Sequence, residues 1–296
     1  MTLPRLPQNQ KTAALLERSL LQRITTILVG APIFLAALWV GGRLWLAFVL
    51  LVAAALGWEL DRLTAVKARA GSSRPQVGMV GKPFQVGQGG WEGAILGVTA
   101  TYVVGRYGVA GAGMVALGII LYSGGRELVL FRQRPLTRVM ALTWSTLYVG
   151  LLWGPLLILR EAGGFYWVLW AAVITWSADI GAFLVGRKFG RHKLAPELSP
   201  GKSWEGFLAG LASGAAVALF LGIPLGFPPS ARLGLGLLTA LVSVFGDLWE
   251  SAVKREAGVK DASTILPGHG GFLDRMDSLL VAGAFTTIIA GIYGVL

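Results

Sequence analysis

The sequence predicts an all-α fold: a polytopic integral membrane bundle of about nine transmembrane helices, with the N-terminus in the cytoplasm. Of the 296 residues, 54% are hydrophobic and only 14% are charged, whereas charged residues make up about a quarter of a typical soluble domain. The apolar residues form long runs, and the basic residues fall in alternate connections between these runs. We therefore expect lipid to surround most of the chain.

In chain order, the sequence predicts a tail and nine spans, with a linker between the second and third spans. Residues 1–23 are polar and basic, and no small-residue cleavage site follows them, so we expect a retained cytoplasmic tail. A helix needs about 20 residues to cross the hydrocarbon core, so the third and fourth spans are the weakest predictions. The connection at 70–90 is rich in Gly, Ser, Gln and Pro and is predicted to be a flexible linker. The candidate spans are 24–40, 43–58, 92–105, 107–123, 139–159, 165–186, 204–224, 232–249 and 278–296.

The lysines and arginines set the predicted sidedness. In the nine-span arrangement, 22 of the 26 basic residues lie on one side of the membrane, in the tail and in four connections. Such an excess marks the cytoplasmic side. The net charge of +11 is thus a signal of topology, and we expect no nucleic-acid partner. The connections are 59–91, 124–138, 187–203 and 250–277, and the other side holds Arg43, Arg106, Arg160 and Arg232.

The composition restricts the kind of metal site. The chain has no cysteine and two histidines, which excludes disulfides, thiolate zinc sites and a cysteine nucleophile. Any metal must then be bound by oxygen atoms, which favours magnesium, calcium or manganese.

Two carboxylates lie inside apolar spans. Asp179 is eight residues before Arg187, and Asp247 lies near the cytoplasmic end of the eighth span. An ionisable group within a span costs roughly 2.5 to 3.5 kcal/mol on insertion scales, so it usually faces a polar cavity. The alternative is a structural carboxylate paired with a basic loop residue.

The connection at 187–206 ends in a predicted helix start. Ser203 is suited to cap a helix that begins at Trp204. Lys202 would oppose the dipole of that helix unless an anion were bound there too. We take this conflict as a modest argument for phosphate binding at Lys202 and Ser203.

The longest polar stretch of the C-terminal half is SAVKREAGVKDASTILPGHGGFLDRMD, at 251–277. Its cations and glycines suit phosphate, and its carboxylates suit a divalent metal. Asp274 and Asp277 share one face if a helix begins there, and Asp247 approaches the same rim. The alternatives are that the carboxylates cap the helix and that the cations mark topology only. The stretch contains Lys254, Arg255, Lys260, Asp261, His269, Gly270, Gly271, Asp274, Arg275 and Asp277.

This stretch resembles the signature of the phosphatidate cytidylyltransferases, also called CDP-diacylglycerol synthases. That signature has Ser, an aliphatic residue, Lys-Arg, Lys-Asp, a small residue, Pro, His-Gly-Gly and Asp-Arg-aliphatic-Asp, and every position is met here. The resemblance extends upstream through ADIGAFLVGRKFGRHKLAPELSPGKSWEG and covers roughly 175–296. Ile180 and Phe183 depart from it, because Ser or Thr and Tyr are frequent at these positions.

The resemblance implies condensation of CTP with phosphatidic acid at the cytoplasmic side of a bacterial-type inner membrane. It implies a magnesium ion held by Asp247, Asp274 and Asp277, with a second cation such as potassium, and a supporting role for Asp179. Lys254, Arg255, Lys260, Asp261 and Arg275 are the expected catalytic residues. Lys202, Ser203, His269, Gly270 and Gly271 are the expected substrate-binding residues. The catalytic part is then 161–296, and 24–160 forms the N-terminal membrane part.

Two other functions stay open at this point. A transporter of anionic solutes would use the same cytoplasmic cations as a substrate vestibule. A CTP-dependent polyprenol kinase would share the phosphate site but transfer the γ-phosphoryl group. The sequence also leaves open whether two copies of the chain form a homodimer.

Overall fold

A computed structural model describes residues 28–70, 90–130, 135–266, 268 and 270–296. The tail at 1–23, most of the linker at 70–90 and His269 therefore lie outside the described residues. In chain order the helices are α1 (Leu28–Val40), α2 (Gly42–Ala70), α3 (Trp91–Leu130), α4 (Pro135–Trp153), α5 (Pro155–Ile158), a π-helical turn (Leu159–Gly163), α6 (Phe165–Phe189), α7 (Trp204–Leu221), α8 (Pro229–Glu256) and α9 (Leu273–Ile292).

Seven of the described helical segments are long and apolar enough to cross a membrane. This supports a polytopic all-α membrane protein, although seven is fewer than the nine spans expected. The difference has two sources. The described part of α1 is short, and the predicted third and fourth spans are joined in the 40 residues of α3.

The helix α3 folds back on itself at Gly108. The backbone there is non-helical, with φ 55° and ψ −130°, which a glycine adopts without steric cost. The Tyr122 hydroxyl donates to Glu92 at 2.8 Å, although 30 residues of straight helix would place these residues about 45 Å apart. The two halves of α3 therefore lie side by side, as the separate predictions at 92–105 and 107–123 require.

The helix α9 lies at the centre of the bundle, where it contacts α2, α4, α5, α6 and α8. Buried tryptophans tie the neighbouring helices together. Trp45 donates its indole N–H to the carbonyl of Leu156 at 3.2 Å, and Trp153 donates to the carbonyl of Val49 at 2.9 Å. Each bond satisfies a polar group that would otherwise be buried without a partner.

Small residues bring α6 and α7 close together. A Cβ atom at Gly206 would lie 2.7 Å from the Ala182 carbonyl oxygen, and one at Gly210 would lie 2.8 Å from that of Ala178. Small residues four positions apart allow such close approach in membrane bundles. This contact fixes the start of α7 against the part of α6 that carries Asp179.

A short hairpin joins α6 to α7, and the sequence did not predict it. Strand β1 (Lys193–Ala195) pairs antiparallel with β2 (Ser199–Ser203), with Lys193 opposite Ser203. The hairpin ends directly at α7, so β2 delivers Lys202 and Ser203 to the start of that helix.

Candidate functional site

The polar stretch at 251–277 is built from the end of α8, a loop and the start of α9. The helix α8 runs to Glu256, seven residues past its predicted span, and α9 begins at Leu273, five residues before its predicted span. Asp274 and Asp277 therefore share the start of one helix, as expected. Basic residues at the end of α8 and acidic residues at the start of α9 also suit the two helix dipoles.

Asp274 closes the loop onto α9. Its Oδ2 accepts from the backbone N–H groups of Ala262, at 2.9 Å, and Gly271, at 2.7 Å. Its Oδ1 lies 2.5 Å from Nζ of Lys254. Both oxygens are thus engaged within the protein, and the side chain is only 4% exposed. The capping role considered as an alternative for Asp274 is present, and its metal role stays a prediction.

Lys254 lies between two carboxylates. Besides Asp274, its Nζ is 2.6 Å from Oε2 of Glu250, one helical turn earlier on α8. The side chain of Lys254 is 11% exposed and that of Glu250 is 1% exposed. Because these charges are shielded from water, each depends on the others for compensation. Lys254 therefore holds the end of α8 against the start of α9.

Asp179, Asp247 and Asp277 come together from three helices, α6, α8 and α9. Asp179 interacts electrostatically with Asp247, Lys202 and Arg275, and Asp277 interacts with both Asp179 and Asp247. Asp277 is buried, whereas Asp179 is exposed. With Glu250 and Asp274 these residues form what we call the acidic cluster: Asp179, Asp247, Glu250, Asp274 and Asp277. The two membrane carboxylates, Asp179 and Asp247, thus lie near each other, and their role in a metal site stays a prediction.

The acidic cluster holds more carboxylates than cations. Its five carboxylates lie beside three cations, Lys202, Lys254 and Arg275. Oxygen donors with excess negative charge are the ligands that magnesium takes. Within the described part of the chain, no group of three or more His, Cys, Asp or Glu side chains meets the geometry of a formed metal site. The assignment of Asp247, Asp274 and Asp277 as ligands stays a prediction.

The start of α7 has the cap expected from the sequence. The hydroxyl of Ser203 accepts from the N–H of Gly206 at 3.2 Å, which confirms Ser203 as the N-cap. Nζ of Lys202 is 2.6 Å from Oδ2 of Asp247. The Asp247 carboxylate is thus an anion beside Lys202 that comes from the protein itself. Phosphate binding by Lys202 and Ser203 stays a prediction.

The glycine-rich turn approaches carboxylates of the protein itself. Gly270 has φ 83°, and its carbonyl accepts from the N–H of Leu266 at 2.9 Å. A Cβ atom at Gly270 would lie 2.6 Å from Oδ2 of Asp274. The N–H of Gly271 also donates to Asp274. The turn therefore needs glycine for its own packing, and substrate binding by Gly270, Gly271 and His269 stays a prediction.

Four further predicted residues are exposed around the acidic cluster: Arg255, Lys260, Asp261 and Arg275. Arg255 donates to the carbonyl of Leu198 at 3.3 Å and to that of Val259 at 3.0 Å. It therefore bridges the hairpin after α6 and the loop after α8. The exposed cations in this group are placed where a soluble anion can reach them.

Glu59 is a residue of this region that the sequence prediction missed. It is completely buried, and it accepts from the hydroxyl of Ser263 at 2.5 Å and from the N–H of Leu273 at 2.7 Å. The second span was predicted to end at 58, which left Glu59 in a connection. The sequence did signal this residue, because the charged residues Glu59, Asp61 and Arg62 directly follow an apolar segment. These charged residues belong to the same helix as that segment, because α2 continues to Ala70.

The chain is similar over most of its length to proteins of one family. A family model described as "Cytidylyltransferase family" matches residues 21–293. The chain is 33% identical over 272 residues to a protein of Brucella suis named phosphatidate cytidylyltransferase, a match that covers 92% of this chain and 93% of the relative. Proteins of the same name from Haemophilus influenzae and Pseudomonas aeruginosa are each 44% identical, over 131 and 151 residues.

The two matches at 44% identity are partial. They cover 41% and 47% of this chain, and 44% and 55% of the relatives, so the chain spans about half the length of these two proteins. The family model and the Brucella relative instead cover almost all of the chain, which confirms the resemblance drawn from the signature. The chain belongs to the cytidylyltransferase family, and thus to the nucleotidyltransferases.

Proposed function

We propose that the chain condenses CTP with phosphatidic acid to give CDP-diacylglycerol and pyrophosphate, a step of phospholipid biosynthesis. The observation that carries this proposal is the acidic cluster, whose five carboxylates outnumber the three cations beside them, together with the exposed cations Arg255 and Lys260. Such a pairing suits a metal-bound polyphosphate. Family membership and the names of the relatives support the same reaction.

The reaction needs positioning more than it needs a base. A phosphate oxygen of the lipid forms a bond to the α-phosphorus of CTP, while the bond from that phosphorus to the oxygen bridging to the β-phosphate breaks. Pyrophosphate leaves with the electron pair. Since the attacking oxygen is already anionic, alignment of the two phosphates and neutralisation of charge supply most of the rate.

The chain's own residues divide this work. Asp247 and Asp277, with Asp274, would hold magnesium, which neutralises charge on the phosphates when it is bound. A second, monovalent cation such as potassium would share the acidic cluster. Arg275, Arg255 and Lys260 would attract and orient the phosphates. Asp179 is exposed beside Ile180 and Phe183 on α6, so the lipid phosphate would approach the cluster from that side.

The reaction is proposed to occur at the cytoplasmic face of an inner membrane, with nine crossings and the N-terminus in the cytoplasm. The folded-back α3 and the short α1 would supply the two crossings beyond seven. Described parts of the basic connections contact one another in pairs, since Arg138 contacts Asp61 and Glu92 and Arg255 contacts Leu198. Their excess of positive charge supports the cytoplasmic assignment.

The sidedness can be tested with single cysteines, because the chain has none of its own. In intact cells, Glu161→Cys is expected to react with a membrane-impermeant maleimide, because the π-helical turn after α5 lies on the outer side in the proposed topology. Lys193→Cys in the hairpin is expected to react only after the membrane is permeabilised. Both positions are exposed in the folded chain. Labelling of Lys193→Cys in intact cells, with Glu161→Cys protected, would reverse the proposed orientation.

The reaction itself is tested with CTP labelled at either the α- or the γ-phosphate. Purified protein with magnesium and phosphatidic acid is expected to place the α-label in a lipid product and to release the γ-label as pyrophosphate. The assay is repeated with polyprenol as the acceptor. Transfer of the γ-label to polyprenol would instead indicate a polyprenol kinase. A lack of lipid label with every acceptor, together with solute uptake by proteoliposomes, would favour a transporter.

A further inference from the structure

Glu59 connects the N-terminal membrane part to the loop that carries the signature. It lies on α2, more than 200 residues before its partners, and its side chain is completely buried. One carboxylate oxygen accepts from the Ser263 hydroxyl at 2.5 Å and from the Phe272 N–H at 3.0 Å. The other oxygen accepts from the Leu273 N–H at 2.7 Å. Three donors of one loop therefore converge on a single carboxylate.

These contacts complete the start of α9. The first N–H groups of a helix have no partner within the helix, and the N-cap residue Phe272 supplies no side-chain hydrogen bond. Glu59 takes over that role from another helix, and its negative charge favours the positive end of the helix dipole. A Cβ atom at Gly271 would lie 2.8 Å from Oε2 of Glu59, so the glycine allows this close approach.

The helix start that Glu59 holds is the one that carries Asp274 and Asp277. Asp274 is one residue beyond Leu273, and Asp277 begins the next turn on the side that faces Asp179 and Asp247. A shift of this helix start would change the separation of Asp277 from Asp247, which lies on a different helix. A movement of α2 would therefore also move the start of α9 and its carboxylates, through the hydrogen bonds of Glu59.

We propose that Glu59 is a positioning residue of the active site, which holds Ser263 and the start of α9 in place so that the carboxylates of α9 meet those of α6 and α8. This inference rests on the proposed cytidylyl transfer. Glu59 acts through the loop and α9, and it touches no reacting atom. This role requires a carboxylate, because both of its oxygens accept hydrogen bonds, from Ser263 and Phe272 on one side and from Leu273 on the other. An amide would turn an NH₂ group toward at least one of these donors.

The test is Glu59→Gln in the purified, full-length protein. We expect kcat to fall about 10- to 100-fold, the range found for residues that orient metal ligands. We also expect the magnesium concentration for half-maximal activity to rise. A purely structural defect would reduce the amount of active protein but would leave this half-activation concentration unchanged. A kcat loss that merely follows the folded fraction, with unchanged magnesium dependence, would overturn the inference.

Two further variants sharpen the experiment. Ser263→Ala removes one of the three donors, so its effect is expected to be smaller and to be less than additive with Glu59→Gln, as expected for residues in direct contact. Strict additivity would contradict a shared role. Glu161→Gln is the matched control, because Glu161 is an exposed carboxylate away from the loop. Its kinetics are expected to equal those of the wild type.

Hydrogen exchange separates this inference from the proposed function. Glu59→Gln is expected to speed amide exchange at Phe272 and Leu273, with no change in the middle of α6 and α7. Unchanged exchange at these two amides would overturn the inference whatever the activity. If the wild-type protein fails to transfer the α-label of CTP to lipid, the proposed function fails. Faster exchange would then still show that Glu59 holds the start of α9.

Discussion

Replacing Asp277 by Asn is expected to abolish cytidylyl transfer and to leave the protein folded in detergent. Asp277 is buried at the meeting point of α6, α8 and α9, and it interacts with Asp179 and Asp247. Its Oδ1 accepts from the adjacent Ser278 N–H at 2.7 Å, and the amide oxygen of Asn can accept the same hydrogen bond. The substitution thus replaces one carboxylate of the acidic cluster and keeps this hydrogen bond.

The measurement is the incorporation of α-labelled CTP into lipid across a range of magnesium concentrations, with size-exclusion chromatography to confirm the fold. We expect a loss of at least about 100-fold, the upper end of the losses seen for residues that only support a metal ligand. Retained activity at saturating magnesium would remove Asp277 from the metal site. Arg43→Ala is the control, because Arg43 is exposed on the N-terminal turn of α2 and is far from the cluster in the proposed topology.

Asp274→Asn tests two roles of Asp274, which holds the loop before α9 and is a predicted metal ligand. Asp274 binds Lys254 and caps the loop through Ala262 and Gly271. We therefore expect this variant to lose stability as well as activity, in contrast to Asp277→Asn. Thermal unfolding of both variants in the same detergent distinguishes a carboxylate that holds the structure from one that serves the reaction.

Replacing Lys254 by Met is expected to have the second large effect, on stability and activity together. The ammonium group lies between Glu250 and Asp274, at 2.6 and 2.5 Å. Met fills a similar volume but leaves two shielded carboxylates without their cation. Breaking a buried ion pair by removing one partner costs about 3 to 5 kcal/mol. The loop held by Asp274 is then expected to loosen from α8.

The unfolding temperature in detergent measures this effect, and Lys188→Met is the matched control. Lys188 is exposed in the last turn of α6, and an exposed charge contributes about 0 to 1 kcal/mol. Equal unfolding temperatures for the two variants would show that Lys254 does not hold α8 against α9. Full activity of Lys254→Met would remove it from the catalytic residues.

Hydropathy located the membrane helices well but not their ends. The prediction at 165–186 corresponds to Phe165–Phe189, and that at 204–224 corresponds to Trp204–Leu221. The span predicted at 43–58 belongs to a helix that runs on to Ala70. An apolar run ends where lipid contact ends, whereas a helix continues as long as one face can pack. That continuation is what carries Glu59 to the signature loop.

The sequence by itself determined the membrane class, the uneven distribution of basic charge and the family. These depend on composition and on residues close together in the chain, such as Asp274 and Asp277. Only the tertiary structure decided the partners: Lys202 with Asp247, Lys254 with Asp274, and Glu59 with the start of α9. A charged side chain inside a bundle must find compensation, but which group supplies it depends on how helices distant in sequence pack. Sequence spacing therefore identified the charged residues, and the packing of α2, α6, α8 and α9 selected their contacts.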